Sequence, residues 1–114
     1  MNKFNFFKIM ENFASIITIT MPSFIAYEDW LKRTKDFFLK DEKIKKYLAE
    51  NGLKKWTYIK TDDVEPIKVV AIFEYKDKKS FDKCQPIFLK FMPKISDLIF
   101  KSNIVRGKVV LDEI

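Results

Sequence analysis

Histidine is missing from all 114 residues of the chain. That absence removes the commonest general base and the commonest metal ligand together. It excludes a Ser-His-Asp or Cys-His nucleophile system and a histidine-ligated haem within this chain. Cysteine occurs once, at Cys84, so no internal disulfide can form and a reducing cytoplasm is the expected compartment. A zinc site assembled from one cysteine and carboxylates would be unusual, so neither a metal nor a cofactor is expected. Arginine is almost as scarce. Of 22 basic residues only Arg33 and Arg106 carry a guanidinium, and the rest are lysines. The forked guanidinium is the group that reads nucleic-acid bases, so the net charge of +6 argues for solvated lysine surfaces more than for a base-reading protein. Abundant Lys, Ile, Phe and Asn share A/T-rich codons, which explains much of the charge without a partner.

What is present suffices for one domain. Hydrophobic residues make up 47% of the chain and twelve are phenylalanine, enough for a core at this length without staples. Met1 to Phe13 reads as a loose extension, or as leader sequence upstream of a start at Met10. Glu11 and Asn12 interrupt its apolar character, no small-x-small cleavage site follows, and the run is too short and polar to span a bilayer. No membrane association is expected. The domain proper is expected over 14–114.

Ala14 to Met21 is short and β-branched, which predicts a strand ended by Pro22, with Ser23 placed to cap a helix. From Phe24 to Asn51 apolar residues recur at helical spacing. The pattern fits one long helix, or two if Asp41 caps a second over Glu42–Glu50, with Asn51-Gly52 as the stop. Strands are predicted over 53–61 and 67–76, joined by the polar turn Asp62 to Pro66 into a hairpin. Asp77 caps a second helical region. Pro86 and Pro93 are expected to interrupt it, since neither can donate a backbone hydrogen bond. Residues 104–111 are predicted to form the last strand. The order βαββαβ with two right-handed crossovers predicts an α+β, ferredoxin-like domain: one four-stranded antiparallel sheet with its helices on one face.

Strand parity then says which side chains share a face. Joining Thr61 to Ile67 across the hairpin places Trp56 opposite Ile72, Tyr58 opposite Val70 and Lys54 opposite Glu74. Val69, Ala71, Phe73 and Tyr75 then face the helices. Trp56, Tyr58, Val70 and Ile72 are left on the open face. An open sheet face in water should be polar, so this one needs a cover. The expected cover is a second copy of the chain.

The run V-V-A-I-F-E-Y-K-D (69–77) with K-K-S-F-D-K-C after it resembles the third strand and second helix of the dimeric α/β-barrel superfamily. Y-E-D-W-L-K-R-T-K-D-F-F (27–38) is similar to that superfamily's first helix. The resemblance spans residues 14 to 112. It implies a homodimer whose sheets meet face to face and enclose a small molecule. The superfamily includes cofactor-free monooxygenases, isomerases and haem-dependent enzymes. The missing histidine sets this chain apart from the haem-binding branches. The run over 69–77 also resembles the RNP1 strand of RNA-recognition motifs. Its outward Val70 and Ile72 cannot stack bases well, and the opening Arg/Lys-Gly is missing, which argues against nucleic acid.

Thr18, Thr20, Trp56, Tyr58, Val70, Ile72, Arg106 and Lys108 are therefore the candidate lining of a cavity or dimer face, apolar with a cationic end and suited to a small anionic organic ligand. The alternative to binding alone is a cofactor-free monooxygenase- or isomerase-like enzyme; no residue is assigned a catalytic role. Cys84, on the apolar stripe of the second helix, reads as a small buried hydrophobe. Asp62, Asp63 and Glu65 read as turn residues.

Overall fold

The computed structural model of the protein describes residues 12–113. The expectations for Met1 to Glu11 fall outside that range. Asn12 and Phe13 do not belong to a loose extension. Phe13 opens the first strand, is buried, and packs its ring 5.0 Å from that of Phe81, while the Asn12 amide donates to the Glu74 carboxylate.

The elements are β1 (Phe13–Met21), α1 (Phe24–Phe38), α2 (Glu42–Glu50), β2 (Leu53–Lys60), β3 (Ile67–Tyr75), α3 (Lys78–Ile95) and β4 (Lys101–Lys108). The four strands form one antiparallel sheet in the order β2-β3-β1-β4, the ferredoxin-like arrangement. The helices share one face of it. The expected starts hold because short polar side chains satisfy amides that a helix cannot bond itself. Ser23 accepts from the Ala26 amide at 3.1 Å, Asp41 from Lys43 at 2.9 Å and Asp77 from Ser80 at 2.7 Å. Asp41 does divide the first helical region in two.

Three expectations require correction. α3 runs without a break through Pro86 and Pro93 and ends at Ile95. Each proline removes one intrahelical hydrogen bond, but Phe81, Cys84, Phe91 and Ile95 are all buried along one stripe. That tertiary burial keeps the backbone helical where local preference would end it. The last strand begins three residues earlier than predicted, because Lys101–Lys108 pairs with β1 along almost its whole length; beyond it the Val109 amide still donates to the Asn12 carbonyl at 2.8 Å.

The third correction concerns the hairpin. Thr61 donates to the Lys68 carbonyl at 3.0 Å, so the pairing is one residue away from that predicted. Trp56 stands opposite Phe73, Tyr58 opposite Ala71, and Lys55 rather than Lys54 opposite Glu74. A one-residue slip turns every side chain of a strand to the other face. Trp56 and Tyr58 therefore point toward the helices. A bulge between Leu53 and Lys55 absorbs the extra residue and returns Leu53 to Tyr75 on the same side.

Gly52 closes α2 with φ 102°, the left-handed region that glycine alone enters cheaply. A Cβ there would also overlap the Ser80 side chain. Gly52→Ala is accordingly expected to lower stability by about 1–3 kcal/mol. Urea unfolding should show a lower midpoint at unchanged slope; an unaltered midpoint would contradict this account of the turn.

Candidate functional site

The register assigns two different surfaces to the two sides of the sheet. On the helix side, Trp56, Phe73, Ser15 and Arg106 form one row across all four strands, and Tyr58, Ala71, Ile17 and Ile104 form the next. Above them Phe38 lies edge-on to Trp56 with ring centroids 4.8 Å apart. Trp30 lies 5.2 Å from Tyr58 and Phe88 lies 5.1 Å from Phe73. Most of this volume is filled by aromatic rings. Between the sheet and α3 a cavity of about 280 Å³ remains, lined by Trp30, Tyr58, Phe73, Phe88 and Ile104, with Ser15 and Arg106 at one end.

Arg106 is held in place there. Its Nε donates to the Ser15 hydroxyl at 3.1 Å, and its guanidinium lies 4.9 Å from the centre of the Phe81 ring. Ser15 is 2% exposed, so the hydroxyl that orients the guanidinium is itself fixed by burial. Among the described residues no carboxylate pairs with Arg106. The contrast is Arg33, which bridges Asp29 at 3.0 Å and Asp97 at 2.6 Å, holding the Asp97 carboxyl below its usual range and tying α1 to the segment after α3. One arginine is spent on the scaffold, and the other presents an uncompensated positive charge at the end of an apolar cavity.

The remaining polar residues of the lining are Gln85, Ser102 and two tyrosines, Tyr58 and Tyr75. Burial pushes the Tyr58 hydroxyl up to about 12, opposed in part by the neighbouring Trp56 indole. Burial, with a smaller contribution from Cys84, raises Tyr75 further. The Trp56 N–H is buried and meets no acceptor at hydrogen-bonding geometry. Cys84 is fully buried under α2, its thiol directed at the carbonyls of Leu48 (3.7 Å) and Asn51 (3.8 Å), and burial raises it too. A thiol so placed is packing, as its position on the stripe implies.

The eight residues singled out from sequence thus divide between the two faces. Trp56, Tyr58, Arg106 and Lys108 lie on the helix side. Of these Tyr58 and Arg106 line the cavity, Trp56 does not but packs against Tyr58 with ring centroids 5.9 Å apart, and Lys108 pairs with Phe13 at the sheet's end, away from it. Thr18, Thr20, Val70 and Ile72 lie on the open face. There Ile59, Val70, Thr18 and Asn103 form one row, and Thr57, Ile72, Ile16 and Val105 the next. Ile16 is 38%, Ile59 45% and Val105 70% exposed, so the centre of this face is apolar and open in the single chain. Lys68 and Lys101 flank it at Thr20, and Glu74 and Lys55 at the other end. No aromatic side chain lies on it among the described residues, so it offers no platform for stacked bases. Sequence reasoning missed Ser15 and Trp30. The signal for Ser15 was a polar residue at the parity of Ile17, Ile19 and Met21.

No family model matches the chain, and no curated protein matches it. Solved structures do. A dimeric ferredoxin-like protein from an uncultured marine organism superposes with a TM-score of 0.81 at 25% identity, over 94% of this chain and 95% of that one. A second dimeric ferredoxin-like protein, also from an uncultured marine organism, gives 0.64 at 20% identity, over 90% and 98%. SnoaB, a cofactor-independent oxygenase from Streptomyces nogalater, gives 0.56 at 17%, over 91% and 96%. The chain has the ferredoxin-like fold of dimeric α/β-barrel proteins, as the resemblance of its β3–α3 segment implied.

The buried phenol has a consequence for alkaline stability. Folding favours the protonated form of Tyr58, so its contribution is complete below its ordinary value of 10.0 and is lost as pH rises toward about 12. Denaturant unfolding across pH 9 to 12 should therefore lose stability less steeply in Tyr58→Phe than in the wild type, Tyr75 supplying the remaining slope; equal slopes would contradict the placement of Tyr58.

Proposed function

We propose that the chain is a cytoplasmic homodimer, closed through the open sheet faces, in which each subunit binds a small organic acid in the cavity between sheet and α3. The observation that carries the ligand reading is the pairing of an apolar, ring-lined cavity with the oriented, carboxylate-free guanidinium of Arg106 at its end. Such a site suits a planar or branched apolar body inside and a carboxylate on the arginine. The volume of about 280 Å³ suits a small ligand. The dimer reading is supported by the apolar centre and charged ends of the open face, the usual layout of an interface, and by the two marine fold neighbours, which are described as dimeric. The buried free thiol of Cys84 is compatible with a reducing compartment. Among the described residues no helix is long and apolar enough to cross a membrane.

Binding is favoured over catalysis by the lining itself. None of the described residues around the cavity is Asp, Glu, Lys or Cys, and its two phenols are held protonated by burial. The site supplies a cation and apolar walls but no residue ready to take a proton at neutral pH. SnoaB shares the fold, and a shared fold alone does not transfer a reaction.

Two measurements test the proposal. 2-Naphthoate should bind, and Arg106→Gln should weaken it by about tenfold or more, while the uncharged 2-acetylnaphthalene should be indifferent to the substitution; equal affinity of naphthoate for both proteins would remove the arginine from the site. Native mass spectrometry should show a dimer, and Ile72→Lys should give a folded monomer by opposing two like charges across the interface. A wild-type monomer at micromolar concentration would overturn the assembly.

A further inference from the structure

α3 packs its rings on β1 and β3, Phe81 against Phe13 and Tyr75, and Phe88 against Phe73. It leaves β4 uncovered: every residue of that strand is exposed, Ile104 included. Leu89 and Met92, also exposed, line the cavity from α3 across the same gap. The cavity therefore opens to solvent between α3 and β4. Arg106 stands on the strand side of this mouth. On the helix side stands Gln85, the one polar residue that α3 contributes to the lining. It follows Phe81 by one turn on the same side of the helix, and the Phe81 ring is the one against which the guanidinium lies. Gln85 is half-buried. Its carboxamide makes no side-chain hydrogen bond among the described residues, and neither of its polar atoms is sealed from solvent. A solvated glutamine is ordinary on the outer face of a helix, but this one occupies the inner row with Phe81 and Leu89.

Ser15 engages the Nε of Arg106, which leaves the two terminal nitrogens for a ligand. Their parallel N–H groups match the two oxygens of a planar carboxylate. Arg106 is the only charged residue of the lining, so a second negative charge would find no partner there. We infer that Gln85 and Arg106 form a two-sided clamp at the mouth, selective for a planar monocarboxylate. The guanidinium takes both oxygens, and the Gln85 amide donates to one of them from the α3 side. The inference rests on the reading of the cavity as an organic-acid site. It adds a specificity-determining residue and excludes phosphate esters, which carry close to two charges at neutral pH.

Calorimetric titration of two variants tests the clamp. Gln85→Met keeps the length of the side chain and removes the amide. It should weaken 2-naphthoate by about tenfold and leave the affinity for 2-acetylnaphthalene as it is. At about pH 8 the wild type should bind 2-naphthyl phosphate at least about tenfold more weakly than 2-naphthoate. Gln85→Glu sets a carboxylate across the mouth from Arg106. The wild type should prefer 2-naphthoate to the uncharged 2-naphthamide, and this variant should reverse that order. Equal naphthoate affinity in wild type and Gln85→Met, with Arg106→Gln still weakening it, would overturn the clamp and spare the organic-acid reading. Weaker 2-acetylnaphthalene binding in Gln85→Met would reduce the residue to packing and overturn the clamp too. Naphthyl phosphate bound as tightly as naphthoate would overturn its selectivity. Naphthoate that fails to bind the wild type at all would sink both readings together.

Discussion

The register of the β2–β3 hairpin is the constraint on which the remaining structure rests. With Thr61 bonded to Lys68, the indole of Trp56 and the phenol of Tyr58 lie on the same side as Phe73. There they meet Trp30 and Phe38 from α1 and Phe88 from α3, with ring centroids 4.8 to 6.3 Å apart and mostly at steep angles. Each such pair contributes about 0.5–1.5 kcal/mol beyond the area it buries. The slipped alternative would expose both rings and leave a hole beneath the helices. The bulge at Leu53 and Lys55 is the local accommodation that lets the strand keep this register while Leu53 still packs inward.

From that one choice the division of labour between the faces follows. Large rings pack unevenly, and the space they leave toward α3 is the cavity that Arg106 closes at one end. Once the aromatics are drawn inward, the open face retains aliphatic and threonine side chains, flat and apolar at the centre. A second sheet can lie on such a surface, whereas a nucleic-acid base finds nothing on it to stack against. Arg33 and Arg106 show how much surroundings decide: the first is neutralised by two aspartates, the second rests on a serine and a phenyl ring and keeps its charge available.

Local chemistry made much of this readable in advance. Ser23, Asp41 and Asp77 announce their helices because each offers a side-chain oxygen to orphan amides. β3 alternates so regularly that its buried side is evident, and the absence of histidine and near absence of cysteine exclude whole classes of chemistry. Those features are set by neighbours a few residues away, so the sequence by itself determined the element order, the fold class and the apolar character of the open face. Tertiary structure alone decided which face Trp56 and Tyr58 occupy, whether Pro86 and Pro93 break α3, and where β4 begins. The reason is common to all three. Each is a choice between locally similar arrangements, a slip of one residue, a missing hydrogen bond or a strand displaced along its partner. Only contacts made far along the chain, with Phe38, with the buried stripe of α3 and with β1, separate those choices in energy.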